Sequence, residues 1–135
     1  MEQVEATRSV DHLGDDALAS FVATADGVVA CFHEDGALER IAHHTTGDRT
    51  GRDLLSMRVL DAAIHRWDLA QAIGVDETLC DDVVAFLLAY TADLDLGPQQ
   101  RAFALPDVDV PRNASPQDQL LHRLGRHPNI TEEAR

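Results

Sequence analysis

The sequence predicts an all-α fold, and two observations carry that expectation. Four segments repeat apolar residues at spacings of three and four, the period of one helical face. Three of those segments are bracketed by residues that start and stop helices. The first segment runs from about Asp15 to His33, with Leu18, Phe21, Val22, Ala25, Val28, Val29 and Phe32 forming its stripe. Gly27 weakens it, and Gly36 follows as a stop.

The second and longest segment spans Gly51 to Ile73. Thr50 and Asp53 form a T-x-x-D capping box at its start, and Gly74 closes it. The third spans about Glu77 to Leu94, after Asp76 and before Gly97-Pro98, with a stripe of Leu79, Val83, Phe86, Leu87, Tyr90 and Leu94. The fourth is short: Ser115 caps it, Pro116 suits its first turn, Asp118 completes the box and Gly125 ends it. Ala37 to Arg49 reads as an irregular connection. Pro98 to Ala114 alternates Leu105, Val108 and Val110 with Asp107 and Asp109, and Pro106 and Pro111 favour an extended segment laid over the helices. The expected organisation is a disordered N-terminal arm over 1–14, one helical domain over 15–128 and a frayed tail over 129–135.

At 135 residues, 44% hydrophobic and 26% charged, the chain suffices for one core without a staple. Asp plus Glu number 24 against 11 basic residues, a net charge of −13, and every basic residue is Arg. That balance argues against nucleic acid and anionic membrane surfaces as partners, since both attract basic residues. The all-Arg, Ala- and Asp-rich composition fits a GC-rich genome. Cys31 and Cys80 lie in apolar helical patterns with no CxxC pairing, and so read as small buried hydrophobes in a reducing compartment. Glu2, Glu5, Arg8 and Asp11 precede any apolar stretch, unlike a signal peptide. The longest apolar run, Val83 to Ala92, is roughly half of what a bilayer requires. A soluble, cytoplasmic protein is expected.

The second helix is the informative one. Leu54, Met57, Leu60, Ile64, Trp67 and Gln71 follow one stripe; beside it Asp61, His65 and Asp68, spaced four and three apart, stack on one edge. A carboxylate and an imidazole four apart can point at one ion. On spacing alone an ordinary Asp–His hydrogen bond at the margin of a core is the commoner outcome, so the spacing by itself does not make a metal site. No G-x-S-x-G, P-loop or G-x-G-x-x-G is present, so acyl transfer and nucleotide binding have no support.

The run from Asp61 through His65, Trp67, Asp68, Leu69 and Ala70 to Gly74 resembles an E-x-x-x-H-x-W-D-L-A-x-A-x-G segment. That segment belongs to the DinB-like metal-binding proteins related to mycothiol-dependent maleylpyruvate isomerase. Ala114-Ser-Pro-Gln-Asp-Gln-Leu-Leu, followed by Leu124-Gly125-Arg126-His127-Pro128, is similar to the closing A-x-x-Q-D-x-L-L-x-L-x-G-R-x-P of the same family. Gly36-Ala37-Leu38-Glu39-Arg40 resembles the G-A-L-x-R turn after its crossover helix. These matches fall in order over residues 15 to 128.

The resemblance implies a four-helix bundle holding one divalent ion, zinc or nickel, through three protein ligands. Two would come from the E-x-x-x-H helix and one is a His of an earlier helix. In that chemistry the ion ionises a low-molecular-weight thiol such as mycothiol, which then attacks an unsaturated small-molecule substrate. Carried over by position, His65 matches the histidine ligand and Asp61 stands where Glu is usual. Asp68 matches an acidic position that orients its neighbours, and Trp67 packs between helices.

Two departures qualify this. Asp61 is one methylene shorter than Glu. Upstream of the crossover-like helix lie only about fourteen residues, too few for two bundle helices at about 1.5 Å per residue. The expectation is therefore a shortened, DinB-like bundle lacking its first two helices and one ligand, with impaired catalysis. His43 and His44 lie in a loop with Thr45 and Thr46, as substitute ligands or as solvent-exposed side chains. His33 suits a helix C-terminus, and His122 and His127 suit the surface. Asp81, Asp82, Asp93 and Asp95 read as a solvated acidic face. The alternative is a non-catalytic helical fragment that forms a homodimer through an uncovered apolar face, expected at Met57, Leu60, Ile64 and Trp67.

Overall fold

The computed structural model of the chain describes residues 10–44, 47–92 and 113–126. In chain order its elements are α1 (Ala17–Phe32), β1 (Ile41–Ala42), β2 (Arg49–Thr50), α2 (Gly51–Ile73), α3 (Asp81–Ala92) and α4 (Pro116–Arg123). The fold is mostly helical, as the periodicity predicts. The 1–9 part of the expected arm, Thr45 and Thr46, the end of the third expected helix and its Gly97-Pro98 stop, the 98–112 part of the extended segment, and His127, Pro128 and the tail lie outside the described residues. The chain divides into two units, Met1–Leu55 and Ser56–Arg135.

In the first unit Asp16 opens α1 by accepting the Ala19 N–H on its side chain, and His33 closes it with its own N–H on the Ala30 carbonyl. No residue of α1 is buried: Leu18 is 72% and Phe21 68% exposed. The turn after it folds back onto the start of α2. Gly36 takes a positive φ of 71°, Arg40 pairs with Glu34, and Ala37 is buried. The N–H groups of Gly51 and Arg52 donate to the carbonyls of Arg40 and Leu38. Gly51 permits that approach, since a Cβ there would collide with the Ala37 carbonyl.

The 37–49 connection is not wholly irregular. Ile41 pairs with Thr50 and Ala42 with Arg49 in a two-residue antiparallel ladder. Each strand is only two residues long, too short for an alternating pattern to register in the sequence.

In the second unit the core comprises Ala63, Ile64, Trp67, Leu79, Val84, Leu87, Leu120 and Leu121, with Leu60, Val83, Tyr90 and Leu124 packed against it. Leu87, Leu120 and Leu121 are fully buried, each contributing about 1.5–3 kcal/mol by removal from water. This corrects one expectation: Ile64 and Trp67 belong to the core formed with α3 and α4, while Met57 and Leu60 are half-buried. The bare helix is α1.

The boundaries of α2 and α4 follow their local chemistry. Thr50 Oγ1 accepts the Asp53 N–H at 3.1 Å and Asp53 returns the bond to the Thr50 N–H at 3.2 Å. Gly74 takes φ 68° with the Val75 N–H on the Ala70 carbonyl. Ser115 Oγ accepts the Asp118 N–H, Pro116 sits in the first turn, and Gly125 closes the element at φ 76°.

The third helix starts four residues later than its apolar pattern suggests. Asp76 accepts the Thr78 N–H, the Arg66 guanidinium donates to the Thr78 carbonyl, and the Gln117 side chain accepts the Leu79 N–H at 2.7 Å. The Arg66 guanidinium and the Gln117 side-chain amide occupy the Thr78 and Glu77 carbonyls, the acceptors that a helix starting at Glu77 would need, so the stretch stays open and α3 begins at Asp81. Its buried side chains are Val84, Leu87 and Thr91, and Phe86 is exposed and stacks on Tyr90 at 6.1 Å. Cys31 and Cys80 are both exposed free thiols, contrary to the expected burial: α1 is uncovered, and the open 77–80 stretch leaves Cys80 at the helix entrance. Among the described residues no helix is long and apolar enough to cross a membrane.

Candidate metal centre

Asp61, His65 and Asp68 share one edge of α2 within the second unit, because helical spacings of four and three stack side chains one above the next. Asp68 is anchored first. Arg126, just past Gly125, reaches back to it with Nη2 2.9 Å from Oδ2 and Nε 3.2 Å from Oδ1. The guanidinium holds the Asp68 carboxyl below its ordinary value, with a smaller contribution in the same direction from His65 and an opposing one from burial.

The anchored carboxylate then orients the imidazole. His65 Nδ1 lies 3.1 Å from Asp68 Oδ2, so the tautomer that satisfies Asp68 carries its proton on Nδ1. Nε2 is left facing Asp61 Oδ1 at 3.5 Å. That distance is long for a hydrogen bond. Two ligand bonds of about 2.0–2.2 Å at the tetrahedral angle separate their donor atoms by about 3.4 Å. A cation between such a nitrogen and carboxylate oxygen would fit this span, as would an ordinary i,i+4 ion pair with a protonated ring. A carboxylate behind the other ring nitrogen is the outer-shell partner that metal-bound imidazoles use. The donor set therefore fits a divalent ion as far as two ligands. Among the described residues there is no group of three His, Cys, Asp or Glu side chains that could hold a metal. Asp61 and His65 are 57% and 66% exposed, and Arg58 approaches the same Asp61 carboxylate at 3.8 Å.

The remaining candidates lie elsewhere. His43 Nδ1 is 2.7 Å from Asp48 Oδ1 in the first unit, and that carboxylate raises the exposed imidazole above its ordinary value. His33 caps α1 and His122 lies on α4. Asp81 and Asp82 occupy the exposed first turn of α3, as expected. A groove of about 670 Å³ runs along a neighbouring face of α2, lined by Val59, Ala63, Leu79 and Val83 with Arg66 and Asp76. Neither Asp61 nor His65 lines it.

The other residues of the two motif-like runs have structural tasks. Trp67 and Ala70 are buried, and Leu120 and Leu121 fill the core. Gln117 binds the 77–79 backbone, accepting from Leu79 and donating to the Glu77 carbonyl. The Arg126–Asp68 contact and the Gln117 clamp were not expected from the residues themselves. Their only signal is that both side chains belong to the closing run, 58 and 38 residues from their partners.

Two uncharacterized proteins from two strains of Mycobacterium tuberculosis are similar to this chain, each 32% identical over 112 residues that cover 78% of it. The chain spans 61% of the length of each of these relatives. No family model matches the sequence, and no solved structure matches it.

Proposed function

We propose that the chain is a cytoplasmic, DinB-like helical protein that binds a divalent metal, zinc or nickel, through Asp61 and His65. The observation that carries this reading is the 3.5 Å separation of His65 Nε2 and Asp61 Oδ1, with Asp68 behind Nδ1 and Arg126 behind Asp68. When bound, such an ion supplies the Lewis acidity that ionises a thiol near neutral pH, which is the chemistry of mycothiol-dependent isomerisation or thiol transfer. His65 presents its Nε2 lone pair, Asp61 brings the compensating charge, and Asp68 fixes the ring. Two protein ligands hold an ion loosely, and misplacement of about 1 Å can cost a hundredfold in rate. Turnover of maleylpyruvate with mycothiol is therefore low or absent in this chain.

Calorimetric titration of zinc or nickel into wild type, Asp61→Ala and His65→Ala tests the site. Weak wild-type binding that fades as pH is lowered is expected, because protonated imidazole cannot ligate. Both substitutions abolish it. Equal binding by all three proteins overturns the assignment.

A second reading is favoured by α1, whose Leu18, Phe21, Val22, Val28 and Val29 are all exposed. An apolar stripe left this exposed marks an interaction surface, so this element suits a non-catalytic protein that self-associates through it. In that case light scattering in chelator gives a dimer, and Phe21→Asp a monomer. A wild-type monomer at all concentrations rejects it.

A further inference from the structure

The exposed edge of α2 holds half of a closed metal site, and we infer that a second copy of this chain supplies the other half. One divalent ion is then shared by Asp61 and His65 of each copy. This inference rests on the metal-site reading of that pair. The two donor atoms stand 3.5 Å apart, the span of two vertices of a tetrahedron, and the ring is held in place by Asp68. Closed zinc sites take four protein ligands. Among the described residues no third donor joins the pair, whereas a twofold axis through the ion brings the same two donors again.

The surroundings suit a copy of this chain. The protein carries a net charge of −13, so two copies repel over most of their surface. In the second unit, however, α2 is balanced: Arg58 and Arg66 offset Asp61 and Asp68. Leu69, one turn beyond His65, is 60% exposed, and Ile73, a further turn on, is 62% exposed. These aliphatic side chains are what a neighbouring helix would cover. A helix of 23 residues is about 35 Å long, and contact along one edge of it falls short of the roughly 1,200 Å² that stable interfaces bury. The ion must therefore hold the pair together. Without it the two Asp61 carboxylates face each other and the copies separate.

The test is light scattering of the full chain in EDTA and in zinc, with the zinc stoichiometry measured by equilibrium dialysis. Zinc is expected to double the mass found in EDTA and to saturate at one ion per two chains. Asp61→Ala and His65→Ala should keep the EDTA mass and the wild-type helical circular dichroism while binding zinc at least about tenfold more weakly. Saturation at one ion per chain with unchanged mass overturns the shared site and leaves the metal reading standing. Zinc binding equal to wild type in both variants removes the metal reading itself, and the inference with it.

Discussion

Arg126 and Asp68, 58 residues apart, form a two-point ion pair with contacts of 2.9 and 3.2 Å, and Asp68 in turn holds the ring of His65. A residue beyond the last described helix thereby sets the rotation of a side chain in the middle of α2. Planar, two-point recognition fixes the carboxylate plane, which a single contact would leave free.

Arg126→Ala is expected to lower stability by about 1 kcal/mol or less, since the pair is partly exposed, and to weaken zinc binding about tenfold by releasing the His65 ring. The pH dependence has a definite sign. Because Arg126 depresses the folded-state pKa of Asp68, its stabilisation is present above the ordinary value of 3.8 and is lost as pH falls through the depressed value. Urea unfolding in chelator should show the wild-type advantage at pH 7 and its disappearance in strong acid.

Gln117→Ala removes the acceptor of the Leu79 N–H and the donor to the Glu77 carbonyl in a partly buried setting. A loss of about 1–3 kcal/mol is expected, because the amide of Leu79 is left without its partner. Thermal unfolding measures it. Gln117→Glu, which keeps an acceptor but not the donor, should recover part of the loss.

Leu120→Ala should cost about 2–5 kcal/mol, the range for a fully buried leucine whose cavity cannot close. Leu69→Ala, on the exposed edge of α2, should change the stability of the metal-free chain by no more than about 0.5 kcal/mol. Equal losses at the two positions in chemical denaturation would show that the core does not lie where α2, α3 and α4 meet.

His43 should titrate above the ordinary histidine value of 6.5, because the Asp48 carboxylate lies against its Nδ1. A raised folded value means that its contribution favours folding below the ordinary value and vanishes as pH rises through the raised one. Proton NMR of the imidazole follows this directly, and Asp48→Asn should return the titration to the ordinary range.

The sequence by itself determined the features whose partners lie within a few residues. Thr50 with Asp53, Ser115 with Asp118, and the positive-φ stops at Gly74 and Gly125 all form where their spacing places them, because the hydrogen bonds involved close inside one turn. Helical spacing likewise places Asp61, His65 and Asp68 on one edge without the help of any tertiary contact. Tertiary structure alone decided the late start of α3, since Gln117 and Arg66 take its would-be first turn from 38 and 12 residues away. It also decided which apolar side chains stay open: no residue of α1 is buried, whereas α2 buries Ile64 and Trp67 and leaves Leu69 and Ile73 exposed, because periodicity shows that a helix has an apolar face but not what covers it. The candidate site divides the same way. Local geometry lines up the three side chains, while the direction of the imidazole depends on Arg126, whose reach back to Asp68 no local rule encodes.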